Sequence, residues 1–470
     1  MGEDDMTTDI HGASAASTVP EPTRPDVQGW VVNGYGFRFV RHLVCTIHTP
    51  QPVRDHLLAA TTGVDGVTQV HDARRWAIRP TSVLSVGFTH AGLAALDVGR
   101  DTLDSFPTEY REGPVTRAAK IGDYGPSGPD HWDEGMADPA RVHMIWTVHG
   151  ETLDAIQAVD DELVAAFGAA TSVVRRYDGE NFHDAAGKPD GKVHFGYVDG
   201  ISQPRVQGFL DHTNPDAQPV APYGAFFTGH ESQFEGVTFD VPQPPEFSGN
   251  GTYNAFRVLE QDVVAFEQFL RDAAEANDVD VEWIAAKVCG RWRDGNPLTL
   301  DPDDPDQAPI DDRDRNDYGY FGDDVGAVCP IGSHMRRANP RDADVVQRAS
   351  AHTRRVIRRG VPYGPAIEPG QTTPDDIPRG LLGNFMCASL IAQFEGIMYD
   401  WVNLGLQHPD ITGTNDPVLG ANDPSTSRFV IPRVGRPDIV LTGFPRFIRT
   451  RASAYTFLPS LPGLRWLASR

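Results

Sequence analysis

The sequence predicts an α+β protein built from two ferredoxin-like units, and three observations carry that prediction. Segments with period-two alternation and segments with three- and four-residue apolar spacing follow one another as strand, helix, strand, twice over in the first half. That order is the ferredoxin-like motif. The second half opens the same way, with an apolar strand running into an amphipathic helix, and closes on a long strand. The chain's 470 residues exceed one ordinary domain, and a 40% hydrophobic content supplies a core for each half.

In the first half, Phe37, Phe39, Leu43, Cys45 and Ile47 alternate with other residues and read as a strand over 35–47. A Pro-started amphipathic helix follows at 52–60. A strand is predicted over 82–88, a short helix over 91–96 and a third strand over 142–148. Next, Leu153, Ile156, Val159, Leu163 and Phe167 share one helical face. A fourth strand, 172–177, closes the unit. In the second half, 252–258 reads as a strand. Leu259, Val263, Phe266, Leu270 and Ala273 mark the helix behind it. A strand at 381–387, a helix at 390–402 and a strand at 446–458 complete the pattern. The resulting division is a polar, acidic, disordered tail at 1–28, an N-terminal unit at 29–225 and a C-terminal unit at 226–470.

Composition removes several functions. A formal net charge of −24 argues against nucleic acid, because nothing offsets a row of phosphates. It disfavours an anionic membrane surface as well, and no stretch of eighteen apolar residues exists to span a bilayer. The four cysteines form neither C-x-x-C nor C-x-x-C-H, so structural zinc and covalently attached haem are not expected. Sparse cysteines, and no charged-then-apolar leader or twin arginine in 1–26, point to a cytoplasmic chain. The run Asp301, Asp303, Asp304, Asp306, Asp311, Asp312, Asp314 and Asp317 lacks the spacing of a calcium loop and is interrupted by prolines and arginines. It reads as a solvated acidic loop.

Three stretches could carry chemistry. In Gly196-Tyr197-Val198-Asp199-Gly200-Ile201-Ser202-Gln203-Pro204, a carboxylate follows an apolar run and precedes a glycine that frees the backbone. It can point into a cavity. In Cys329-Pro330-Ile331-Gly332-Ser333-His334-Met335-Arg336-Arg337-Ala338-Asn339-Pro340-Arg341, a histidine stands in a Gly/Pro-bounded stretch with room for a metal. Arg336 and Arg341 follow it as candidate partners for carboxylates. In Arg354-Arg355-Val356-Ile357-Arg358-Arg359-Gly360-Val361-Pro362-Tyr363-Gly364, clustered arginines read first as a basic helix end.

Taken together, in this order, the three stretches resemble the signatures of dye-decolourising peroxidases, in particular the larger, longer-looped members. The resemblance runs from Tyr35 to Arg470. It takes in Gly380-Leu381-Leu382, Gln393-Phe394-Glu395, Trp401-Val402-Asn403 and Phe457-Leu458-Pro459-Ser460-Leu461-Pro462. It implies a fold of dimeric α/β-barrel type, with one non-covalent haem b in the C-terminal half. His334 would be the axial ligand of the iron, and Asp416 would accept from its second nitrogen, with Glu395 as the weaker alternative. Asp199 would be the acid–base group and Arg358 the distal cation, with Arg359 as fallback. Gly200, Ile201, Ser202, Phe385, Arg336 and Arg341 would help hold the cofactor. The implied activity is reduction of hydrogen peroxide through a ferryl intermediate, with oxidation of dye-like or phenolic donors.

Surface Tyr or Trp residues would relay electrons from bulky donors, and pairing of sheet edges would allow a homo-oligomer. A haem carrier or deferrochelatase-like protein, or a specialised haem oxidase or oxygenase, is the competing expectation. The chain departs from the family's pattern at Arg451-Ala452-Ser453-Ala454-Tyr455 and at Asn384, where an apolar residue is more usual. A carboxylate of ordinary pKa, about 3.9, is a base only above that value, so activity in mildly acidic solution is expected.

Overall fold

The computed structural model describes residues 19–210, 218–234, 236–303, 310, 314–345, 352–367 and 371–470. Its centre is an eight-stranded antiparallel sheet. The first four strands are β1 (Phe39–Ile47), β2 (Ser82–Phe88), β3 (Met144–Gly150) and β4 (Thr171–Glu180). The others are β5 (Thr252–Gln261), β6 (Ile357–Tyr363), β7 (Gly380–Cys387) and β10 (Ile448–Leu458); β8 (Arg428–Ile431) and β9 (Ile439–Thr442) form a separate hairpin. The spatial order is β4-β1-β3-β2-β10-β5-β7-β6. Each half repeats one ferredoxin-like arrangement, the fourth strand beside the first and the third between first and second.

The two halves join where Phe457 of β10 lies opposite Phe88 of β2. At the far ends β4 approaches β6, so the sheet curls into a barrel. Gly179 makes that approach possible: a Cβ there would stand 2.6 Å from Val361 Cγ1. The two sheet edges therefore face each other. Period-two alternation divides the side chains. Leu43, Trp146 and Val148 point outward beneath the helices Pro50–Thr62 and Leu153–Phe167. Inward-facing His42 on β1 packs on Phe256 of β5 with ring centroids 5.0 Å apart, although several strands separate them in the sheet. The interior is partly polar: His42 Nδ1 lies 2.9 Å from Thr147 Oγ1, and Asn254 donates to Asn384 Oδ1 at 2.9 Å.

Helix starts follow ordinary capping. Thr152 and Asp262 each accept the backbone N–H three residues on, at 3.1 Å, opening Leu153–Phe167 and Val263–Asn277. Asp262 also corrects one boundary, because Leu259 lies on β5 and not on the helix. The arginine run at 354–359 is no helix end: Ile357–Tyr363 is an edge strand of the sheet. The segment 390–402 is helical as expected but wound as π-helix over Leu390–Phe394 and Ile397–Asn403. The expected tail at 1–28 ends sooner. Residues 1–18 lie outside the described residues, but Val19, Val27 and Gln28 are buried. The Gln28 amide donates to the carbonyls of Val86 and Pro459.

One buried ion pair ties the halves together. Arg257 on β5 holds Asp123 through two bonds of 2.7 Å, and Thr450 of β10 donates to the same carboxylate. Among the described residues no helix is long and apolar enough to cross a membrane, and no group of acidic, His or Cys residues is arranged to hold a metal ion. Of the acidic run, 304, 306, 311 and 312 lie outside the described residues.

Candidate active site

A cavity of about 280 Å³ opens between the C-terminal half of the sheet, the π-helical segment and the 193–204 loop. Its walls are largely apolar: Phe195, Leu259, Leu381, Phe385, Ile397, Met398, Val418, Leu419 and Ile448. His334, Asp199 and Arg358 all line it.

His334 is the first residue of the short helix His334–Ala338. Its Nδ1 lies 3.0 Å from Asp416 Oδ2, which leaves Nε2 as the ring nitrogen on the cavity side. Asp416 is fully buried behind the ring and pinned: its Oδ1 accepts the N–H groups of Val418 and Leu419, both at 2.8 Å. Burial would lift the Asp416 carboxyl, but the imidazole, Arg337 and those N–H groups outweigh it and hold it below the usual range. Burial opposes charge on His334 too, and Asp416 reverses this, leaving its pKa raised. Glu395 is not the partner. It is fully buried elsewhere, held bidentately by Arg117 at 2.5 Å and by Tyr455 OH at 3.1 Å.

Asp199 sits in a bridged turn and not in a strand. Gly196 and Gly200 both take positive φ, +83° and +82°, a conformation glycine adopts freely. The Gly200 N–H donates to Asp199 Oδ1 at 2.7 Å, and Arg358 Nη1 reaches the same oxygen at 3.3 Å. The Asp199 side chain is 40% accessible although it lies deep in the molecule, because it opens onto the cavity. Burial raises its pKa, but Arg358, the Gly200 N–H and His334 pull harder, and the carboxyl ends below its ordinary value.

Strand alternation separates the two adjacent arginines. Arg358 points toward Asp199, while Arg359 turns to the other face and donates to the carbonyls of Trp30 and Val31, each at 3.0 Å. Gln203 fixes Arg358 from the side of β6 away from β7, accepting from its N–H at 3.2 Å and donating to its carbonyl at 2.8 Å. Sequence reasoning gave Gln203 no role; its place two residues before Arg205 offered no signal of that contact.

Ile201, Ser202 and Phe385 line the cavity, whereas Gly200 contributes only its N–H. Arg336 and Arg341 turn away. Arg336 is buried on Asp323 and the Cys329 carbonyl, over the Tyr320 ring. Arg341 is buried on Asn316 and the Tyr318 carbonyl, over the Tyr318 ring. The arginines that line the cavity beside Arg358 are instead Arg291, Arg354 and Arg355. Arg291 is 3% exposed, and its Nε has no hydrogen-bond partner among the described residues.

The model of the DyP dimeric alpha+beta barrel domain matches residues 26–181, the segment that carries β1 to β4. A dye-decolorizing peroxidase of Mycena epipterygia is 28% identical over 73% of this chain and 65% of its own length. Peroxidase 2 of Mycetinis scorodonius is 26% identical over 98% of this chain and 91% of its own. The chain is thus similar to dye-decolourising peroxidases over most of its length, and residues 26–181 match the domain model of that family. A dye-decolorizing peroxidase solved in complex with 2,6-dimethoxyphenol shares the family fold with this chain. Its TM-score is 0.80, at 24% identity over 95% of this chain and 99% of that one. The family's cofactor is haem, and a cavity walled by apolar side chains, with one imidazole backed by a carboxylate, matches that chemistry.

Proposed function

We propose that this chain is a haem-dependent peroxidase that reduces hydrogen peroxide and oxidises phenolic or dye-like donors. The observation that carries the reading is that an Asp–Arg pair and a carboxylate-backed histidine line one apolar cavity. A haem carrier needs the histidine but has no use for the pair.

His334 Nε2 would hold the haem iron, with Asp416 fixing the tautomer and raising the basicity of the ring. The unpartnered Nε of Arg291 supports carboxylate binding at that wall. Arg291, Arg354 and Arg355 would therefore hold the propionates in place of Arg336 and Arg341. Cys289 also lines the cavity, but burial pushes its thiol up to about 12, so it stays neutral. With no haem-attachment motif, one non-covalent haem b per chain follows. Bound haem supplies the iron on which peroxide is cleaved and the two oxidising equivalents that result.

The protein's own steps are proton movement and charge stabilisation. Asp199 takes the proton that peroxide loses on binding and returns it to the departing oxygen as water forms. Arg358 stabilises negative charge along the breaking bond, an effect worth about 3–4 kcal/mol for one well-aimed donor. The N-terminal unit (29–225) contributes Asp199, and the C-terminal unit (226–470) contributes His334 and Arg358. Four buried free thiols suit a cytoplasmic chain.

Reconstitution with haem tests the ligand. Wild-type protein should bind it with an intense Soret band, and His334→Ala should abolish or shift that band. An identical spectrum in the variant would remove His334 as ligand.

A further inference from the structure

We infer that Arg293 and Gln203 are positioning residues for the peroxide reaction: they clamp the loop that carries Asp199 at its two ends and so set how Asp199 meets Arg358. The inference rests on the peroxidase reading above.

The pair does not lock itself. Asp199 and Arg358 share one contact of 3.3 Å between partly exposed side chains. A tight charge-assisted bond is about 2.7–2.9 Å long. The backbone on either side must therefore hold the two groups together.

Arg293 holds the entrance of the loop. Its carbonyl accepts the Val198 N–H at 3.0 Å. Its guanidinium donates to the Phe195 carbonyl and lies over the Tyr197 ring, 5.1 Å from the centroid. Gly196 leaves room for this approach, since a Cβ there would stand 2.7 Å from Arg293 Nη1. The same guanidinium pairs with Glu267 of the helix Val263–Asn277 at 2.8 Å and with Glu282 of the helix Val281–Cys289 at 3.0 Å. One side chain thus ties the backbone just before Asp199 to two helices.

Gln203 holds the exit. Its single amide takes up both the N–H and the carbonyl of Arg358, as a neighbouring strand would. Beside it, the Ser202 carbonyl accepts from Arg358 Nη2 at 3.2 Å. Main chain and side chain of Arg358 are both fixed to the loop that carries Asp199. The two groups act on one small molecule, where a misplacement of about 1 Å costs about 10²-fold. The charged and titratable groups that face Asp199 are Arg358 from β6 and His334 from across the cavity. Loosening the clamp weakens the first of these.

The test uses the haem-loaded full chain and two variants. Gln203→Met keeps the length of the side chain and removes both bonds. Arg293→Lys keeps the charge facing Glu267 and Glu282 and removes the fork. Hydrogen exchange read by mass spectrometry should quicken over 193–204 in both variants, and at Arg358 in Gln203→Met, with the resting Soret band unchanged. The rate of reaction with peroxide, per haem, should fall about tenfold. Its decline with acid should begin at higher pH, because a carboxyl released from Arg358 binds its proton sooner. A weakened fold alone would lower haem content without moving that midpoint. If wild-type protein binds haem and ignores peroxide, the peroxidase reading fails, and this inference with it. If the wild type reacts and Gln203→Met matches it in rate and midpoint, the clamp alone is overturned.

Discussion

At the scale of single residues, the site turns on what surrounds each charge. Asp199 lies deep in the molecule on the cavity wall, and desolvation there alone would favour its neutral form, yet Arg358 and the Gly200 N–H lower its pKa. Its pKa is depressed, so the base form persists as pH falls past the ordinary value of about 3.9 and is lost only below it. The rate of reaction with peroxide should thus stay level through mildly acidic solution and decline at lower pH. Arg358→Leu should move that decline to higher pH; a wild-type midpoint at or above the ordinary carboxylate range would contradict the pairing. Asp199, His334, Arg358 and Asp416 were legible because each sits in a distinctive local pattern. Arg336 and Arg341 were misread because charge and proximity to His334 say nothing of direction. Asp323 and the carbonyls of 316 and 318, brought close only by folding, draw them away from the cavity.

At the scale of elements, β1 and β3 carry a cost inside the barrel. His42 and His149 are fully enclosed by the sheet and held neutral, with pKa lowered from 6.5 to about 3 by burial. A histidine that is neutral when folded favours the fold fully above pH 6.5. That contribution shrinks as pH falls toward 3, because the unfolded chain binds the protons first. Urea midpoints should therefore drop steadily between pH 7 and pH 4, and His149→Gln should flatten part of that slope. A midpoint independent of pH over this range would show that these imidazoles are not held neutral. The alternating and helical periods predicted most strands and helices, since burial on one face imposes them. β6 escaped because Arg358, Arg359, Gly360 and Pro362 give an edge strand no apolar alternation. The π-helical winding of 390–403 escaped because periodicity marks a helical face and not its pitch.

At the scale of the molecule, the barrel explains how distant residues form one site. Closure of β4 against β6 and the Asp123–Arg257 pair hold the two units in register. The cavity then collects Asp199 from the 193–204 loop, Arg358 from an edge strand and His334 from a short helix. The sequence order of the three motifs predicted that convergence through family resemblance; pairwise geometry, including the role of Gln203, required the fold. Acid sets two opposing demands: Asp199 works well below neutrality, while the interior histidines weaken the fold there. The most direct test of the whole account is stopped-flow mixing of the haem-loaded protein with hydrogen peroxide, comparing wild type with Asp199→Asn and Arg358→Leu. A fast change of the Soret band is expected in the wild type, slowed by about 10²-fold or more in each variant. Equal rates in all three proteins, or no change in the wild type, would contradict it.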